Sequence, residues 1–253
     1  MKNIAFITFI AVNLLVGCQI KVQHKNAAII NKEEKIIRFS GYDWLVRNPK
    51  TRQEPHNNYW NGDNVWLDKN GDLHLKLTKN TERNIWECAE LRTLKKFGYG
   101  TYQWKLKGPV NSLDMNIVLG FFNYSGNNEF DEMDIEFSRW GYTHAPILNY
   151  TVWPAEKGKD KNVTDARDFA INKNQKTTHR WTRDSTSIYF QSLHGYQNKN
   201  KKLFADKKWS VPTSISKLEM PVFMNLWLFK TTGPSDQKEV EIIVHEFKFT
   251  PIR

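Results

Sequence analysis

The sequence predicts an all-β fold, a sandwich or barrel in which a curved sheet forms a concave cleft. Three observations carry that expectation. Short runs alternate apolar and polar residues and are separated by turn residues; aromatic residues make up 13% of the 253 residues; and no long amphipathic helical pattern competes with the strands. Alternation with period two puts one set of side chains in a core and the other on an open face. Many short strands of this kind are the signature of sandwiches and barrels. The 40% hydrophobic fraction is enough for a real core, and neither an internal repeat nor a second domain is visible.

The chain opens with a short basic start, Met1-Lys2, and an apolar run from Ile4 to Val16 interrupted by Thr8 and Asn13. That run is too short to span a bilayer and has the length of a signal-peptide core. It ends in Leu15-Val16-Gly17-Cys18, which resembles a bacterial lipobox. The expected organisation is therefore a signal peptide over 1–17, a lipidated Cys18 with a polar tether to residue 37, and a folded domain over 38–253. This implies a lipid anchor in a membrane and a bacterial cell-envelope location. With Cys18 taken by lipid, Cys88 has no partner for an intramolecular disulfide and reads as a small buried residue.

Strand patterns then follow in order. Leu73, Leu75 and Leu77 alternate with polar residues after the turn Asn70-Gly71-Asp72. Further runs are Tyr99 to Leu106, Asn116 to Phe122, Tyr150 to Trp153, Thr186 to Phe190, Phe223 to Phe229 and Val240 to Phe249. Asp165 to Ile171 reads as a single helical turn at most. The net charge of +10 favours polyanions in general, but no nucleic-acid motif accompanies it, so nucleic acid is not an expected partner.

The segment that carries chemistry is Glu132-Met133-Asp134-Ile135-Glu136. On a strand, Met133, Ile135 and Phe137 enter the core while Glu132, Asp134 and Glu136 share the other face. Like charges in a row raise one another's pKa, which costs stability but suits a reaction needing one carboxylate ionised and another protonated. Three readings fit the acids alone: a solvated face, a hard-cation site, or the carboxyl pair of glycoside hydrolysis. Phe130, two residues earlier, and Asn225 with Trp227 on the Phe223–Phe229 strand favour sugar, because sugars stack on aromatic rings and hydrogen-bond to amides. Met224, Leu226 and Leu228 claim the core side of that strand, so Trp227 should face outward. Glu90 and Arg92 share a strand face, either as an ion pair or as a polar clamp on sugar hydroxyls.

Several segments carry a resemblance. Glu132 to Phe137 resembles the active-site strand of family 16 of the glycoside hydrolases, in the form without an inserted residue seen in licheninases and xyloglucan transglycosylases. Cys88-Ala89-Glu90-Leu91-Arg92, Phe97 to Tyr102, Gly120 to Gly126 and Met224-Asn225-Leu226-Trp227 resemble licheninase segments and occur in the family's order. The resemblance implies a jelly-roll (concanavalin A-like) sandwich and a retaining, endo-acting β-glucanase. Glu132 would be the nucleophile, Asp134 the assisting acid and Glu136 the general acid/base. Phe130, Glu90, Arg92, Asn149, Asn225 and Trp227 would contact a polysaccharide. No cofactor is implied for catalysis; a structural calcium is implied for some members, with Glu246 a candidate ligand here.

The sequence also departs from the licheninase pattern. Ile147 and Thr151 replace polar and aromatic cleft residues, Leu228-Phe229-Lys230 replaces an Asn-Gly loop, and the partner of Cys88 in the family disulfide is missing. These departures bear on the glycan more than on the reaction. The rival readings are the same mechanism on a galactan or sulfated glycan, transglycosylation, and a non-catalytic carbohydrate-binding protein.

Overall fold

The computed structural model describes residues 34–127, 130–155, 161–172, 174–210 and 215–252. The predicted signal peptide, Cys18 and most of the tether lie outside these residues. From Glu34 onward the chain forms one unit.

Its strands are β1 (Ile36–Phe39), β2 (Tyr42–Val46), β3 (Arg52–Gln53), β4 (Asn58–Trp60), β5 (Val65–Leu67), β6 (Leu73–Asn80), β7 (Ile85–Thr93), β8 (Gly100–Lys107) and β9 (Ile117–Tyr124). They continue with β10 (Glu132–Phe137), β11 (Leu148–Trp153), β12 (Val163–Arg167), β13 (Lys176–Arg183), β14 (Ile188–His194), β15 (Leu203–Trp209), β16 (Val222–Leu228) and β17 (Val240–Pro251). The helices among the described residues are two 3-10 turns, Gly62–Asn64 and Phe229–Thr231.

Two antiparallel layers pack face to face as a jelly-roll sandwich. One, the cleft sheet, runs in the order β12-β11-β10-β9-β16-β7-β2-β1. The other, the back sheet, runs β5-β6-β17-β8-β13-β14-β15. The end of β6 turns to pair with the start of β7 and ties the layers together. Inward residues alternate on both sheets, as period two requires. Met133, Ile135, Phe137, Met224 and Leu226 come from the cleft sheet, and Trp104, Trp181, Phe190 and Phe247 from the back sheet; all are buried.

Rings meet across the interface. Trp104 lies 5.5 Å from Phe121, and Tyr150 stacks on Phe190 at 5.0 Å. Burying one such side chain is worth about 1.5–3 kcal/mol, so this interior holds the cleft sheet's face in place. Tyr150 also satisfies its hydroxyl inside, against Ser192 Oγ at 2.6 Å.

Two expectations change. The folded unit begins before Arg38: β1 starts at Ile36, and the Lys35 ammonium donates to the carbonyls of Gly62 and Val65, each at 2.7 Å. Asp165–Ile171 is not a helical turn; its first half belongs to β12, an edge strand paired with β11. Val163, Asp165 and Arg167 are half-buried on one face while Thr164 and Ala166 are exposed, so the alternation is present without an apolar stripe to announce it.

Candidate active site

β10 keeps unbroken register with β9 on one side and β11 on the other, with no bulge. Its alternation is as the sequence predicts. Met133, Ile135 and Phe137 point into the core, and Glu132, Asp134 and Glu136 occupy the open face, with Asp134 buried and the two glutamates half-buried.

Register across the sheet lines the neighbours up in rows, because directly opposed residues point to the same face. One row reads Glu90 (β7), Asn225 (β16), Gly120 (β9), Glu136 (β10), Asn149 (β11). The next reads Arg92, Phe223, Phe122, Asp134, Thr151, and a third holds Tyr124, Glu132 and Trp153. Over these rows lies a cavity of about 560 Å³. Glu132 and Glu136 line it together with Glu90, Asn225, Trp227, Phe122, Tyr124 and Phe223, and Arg47, Glu54 and Pro55 form a wall. The Phe122 and Phe223 rings stack at 5.0 Å.

Gly120 has a specific part in this floor. A β-carbon there would stand 2.6 Å from the Asn225 Oδ1 atom, inside contact distance. Glycine lets the Asn225 amide lie across the sheet between Glu90 and Glu136. Its Nδ2 donates to Glu90 Oε2 at 3.4 Å, and its Oδ1 is buried without a partner among the described residues. A buried acceptor left unsatisfied costs about 1–3 kcal/mol, and a hydroxyl donor entering the cleft would recover it.

The acids titrate as a set. Burial is the first cause of every shift. It raises Glu132 to about 7, offset by a hydrogen bond with Asp134, and raises Glu136 to about 8 with the charge of Glu132 adding to it. Asp134 is held well above the ordinary carboxylate range by burial and by both glutamates. The neutral Asp134 thus bonds to Glu132, and the Trp153 Nε1–H donates to its Oδ2 at 3.0 Å. Near neutrality this ordering ionises Glu132 before Glu136, as required of a carboxylate nucleophile beside a general acid.

The predicted contact residues divide. Glu90, Asn225 and Trp227 line the cavity. Glu90 is ion-paired not with Arg92 but with Arg47, Nη1 to Oε1 at 3.0 Å, and the Arg47 guanidinium rests 4.3 Å over the Trp60 ring. Arg92 shares the face but sits beyond the cavity lining, opposite Phe223. Trp227 faces outward as expected, yet only 6% of it is exposed because His56 stacks on it at 5.8 Å. Asn149 is buried beside Glu136 and spends its amide protons on the carbonyls of Ser138 and Ile147, holding the β10–β11 connection rather than lining the cleft.

Phe130 does not line the cavity. Asp131, at φ 57°, turns the chain immediately before β10 and breaks the alternation, so Phe130 lies half-buried outside the cavity lining. Arg47, Phe122, Tyr124, Glu54 and Trp153 are site residues that the sequence did not single out.

Cys88 is a buried free thiol, pushed up to about 12 by burial, and donates weakly to Asn58 Oδ1. Among the described residues no group of three or more His, Cys, Asp or Glu side chains is arranged to hold a metal ion. Glu246 has the Lys105 ammonium 2.7 Å away, where a cation would have to sit, so this carboxylate does not fit the calcium role.

A model of the glycosyl hydrolases family 16 matches residues 52–239. The chain belongs to that family. As a family 16 member it is a glycoside hydrolase. It is 27% identical over 195 residues to a beta-glucanase of Bacillus subtilis (strain 168), covering 75% of this chain and 72% of that protein. To a beta-glucanase of Paenibacillus macerans it is 38% identical over 121 residues, 47% of this chain and 49% of the other. The solved Bacillus licheniformis beta-glucanase shares the fold with a TM-score of 0.62 at 21% identity, over 87% of this chain and 98% of that one. A family 16 endo-glucanase from Bacteroides ovatus, solved in complex with G4G3G-2F-DNP, does so with a TM-score of 0.60 at 13% identity, over 82% and 94%.

Proposed function

We propose that this family 16 hydrolase is a retaining endo-β-glucanase cleaving β-1,3/1,4-linked glucan. The observation that carries the reading is the unbulged row Glu132, Asp134, Glu136, with Glu132 bonded to a neutral Asp134 and Glu136 raised above it, facing an aromatic-walled cleft. The beta-glucanase relatives support the choice of glycan.

In the first step the Glu132 carboxylate attacks the anomeric carbon while Glu136 gives its proton to the departing glycosidic oxygen. The bond to the leaving sugar breaks and a glycosyl ester to Glu132 forms. Glu136, now ionised, takes a proton from water, which attacks the same carbon and releases Glu132. Asp134 keeps its proton throughout and donates toward Glu132, stabilising the carboxylate both before attack and as it leaves.

The lipidated Cys18 and an envelope location belong to the same proposal and rest on the Leu15-Val16-Gly17-Cys18 motif. Incorporation of a labelled fatty acid that disappears in Cys18→Ala is the expected result.

A panel of polysaccharides read out by product size tests the activity. Mixed-linkage glucan should give short oligosaccharides with retained anomeric configuration, and Glu132→Gln should abolish release while leaving glycan binding. Binding without cleavage across the panel would make the protein a carbohydrate-binding module, and inverted products would remove Glu132 from the nucleophile's role.

A further inference from the structure

The outer face of the back sheet holds a second polar site, far removed in the fold from the acid row. Across β17, β8, β13, β14 and β15, the outward residues Lys248, Gln103, Arg180, Gln191 and Asp206 stand in register. Their neighbours along the strands, Phe247, Trp104, Trp181 and Phe190, point into the core. An outward row on an uncovered sheet should be solvated, yet Gln103 and Gln191 are each 5% exposed and Arg180 only 8%. The cover is the β14–β15 connection. Gln103 Nε2 donates to Asn198 Oδ1 at 3.4 Å, and Gln191 Nε2 donates to Asn200 Oδ1 at 2.8 Å.

Those bonds turn both glutamine oxygens toward Arg180. Its Nε donates to Gln191 Oε1 at 2.9 Å and its Nη1 to Gln103 Oε1 at 3.3 Å. Both acceptors are neutral. Asp206, the carboxylate next in the row, instead accepts from the Tyr189 hydroxyl at 2.8 Å. Among the described residues no carboxylate is ion-paired with Arg180. A buried guanidinium held in a fixed plane by two amides retains its charge and its remaining nitrogen for something else. A hairpin anchor alone would be made more cheaply from apolar residues, whereas planar recognition of an anion requires this kind of preparation.

Beside the guanidinium is a cavity of about 320 Å³, lined by Thr101, Gln103, Thr182, Asn198 and Lys248. Its volume is at the small end of ligand sites. Hydroxyls and amides dominate its walls, with no aromatic ring among them. That lining suits a polyhydroxylated ring bearing an anionic group, bound by hydrogen bonds rather than stacking. The net charge of +10 favours association with acidic polymers in general.

We infer that the back sheet carries a second saccharide site, selective for a sugar bearing a carboxylate or sulfate, with Arg180 and Lys248 on the anionic group and the threonines and amides on the hydroxyls. It would hold the enzyme on an acidic polysaccharide while the cleft works on a neutral glucan. The two sites lie on different sheets and are separable by experiment.

Isothermal titration of the full chain with a hexuronate-containing disaccharide, an O-sulfated disaccharide, their neutral counterpart and inorganic sulfate tests the inference. At least one acidic disaccharide should bind in the millimolar range or tighter, at least ten-fold above the neutral sugar. Arg180→Gln and Lys248→Gln should each weaken it at least ten-fold. Lys248 is exposed, so Lys248→Gln should fold normally and leave glucan hydrolysis unchanged even if Arg180→Gln does not fold. Which acid binds better identifies the anionic group. The inference is overturned if neither acidic sugar binds, if the neutral sugar binds equally, if Lys248→Gln has no effect, or if inorganic sulfate matches the sulfated sugar.

Discussion

Trp153 Nε1 donates to Asp134 Oδ2 at 3.0 Å, from the strand on the far side of the acid row. Trp153 stands opposite Glu132 in register, so one residue borders the proposed nucleophile and orients its proposed assistant. With Oδ2 accepting from the indole, the proton of the neutral Asp134 is left for Glu132. Removing the indole N–H in Trp153→Phe should make Asp134 a poorer donor and let the Glu132 pKa rise. The acid limb of kcat/KM should move to higher pH and kcat should fall about ten-fold, equivalent to about 1.4 kcal/mol. A packing role alone would lower stability and leave the pH profile where it was.

The two limbs of that profile follow from the titration of the row. Below about 7 Glu132, the proposed nucleophile, gains a proton; above about 8 Glu136, the proposed general acid, loses its own. Activity should therefore peak near pH 7–8, with both limbs well above ordinary carboxylate values, although each limb reports the set rather than one residue. With an aryl glycoside whose leaving group needs no proton, Glu136→Ala should retain the first step and lose the basic limb. A basic limb that persists in this variant would assign the general acid elsewhere.

The acid row was legible in the sequence because its logic is local. Period-two alternation within one strand sorts Met133, Ile135 and Phe137 from Glu132, Asp134 and Glu136 without knowledge of any neighbour, and the same holds for Trp227 beside Met224, Leu226 and Leu228. Trp153 and Arg47 reach the site through pairing instead. The β10–β11 connection spans residues 138–147, too long to contain a two-residue hairpin turn that would set register, and Arg47 joins Glu90 from 43 positions away. Phe130 falls outside the cavity lining, at a point where local alternation no longer applies. Asp131 takes the left-handed conformation that aspartate tolerates better than most residues, and a single such residue cancels the alternation.

The floor of the cleft gives a steric prediction. In Gly120→Ala the new β-carbon would meet the Asn225 side-chain oxygen at 2.6 Å. Asn225 would have to rotate away, losing its contact with Glu90 and withdrawing an amide from the row beside Glu136. Overpacking of this kind costs about 1–3 kcal/mol. The melting temperature should fall by several degrees, and KM should rise more than kcat falls if the displaced amide contacts substrate without reacting. An unchanged KM would remove Asn225 from substrate contact.

Stability should itself depend on the row, and the sign is fixed by the direction of the shift. Glu136 is raised in the folded state, from an ordinary 4.5 to about 8, so the fold holds this proton more tightly than the unfolded chain does. Its contribution is fully present below pH 4.5 and is lost as pH rises through about 8, at about 1.4 kcal/mol per pH unit at most. Glu136→Gln removes that dependence with nearly the same shape. The variant should match wild type in thermal unfolding at pH 4 and become progressively more stable than wild type toward pH 8, while losing hydrolysis of glucan. A stability difference that stayed flat across this range would mean that Glu136 is not held protonated by its burial. The general acid of the first step would then lack the physical basis proposed for it.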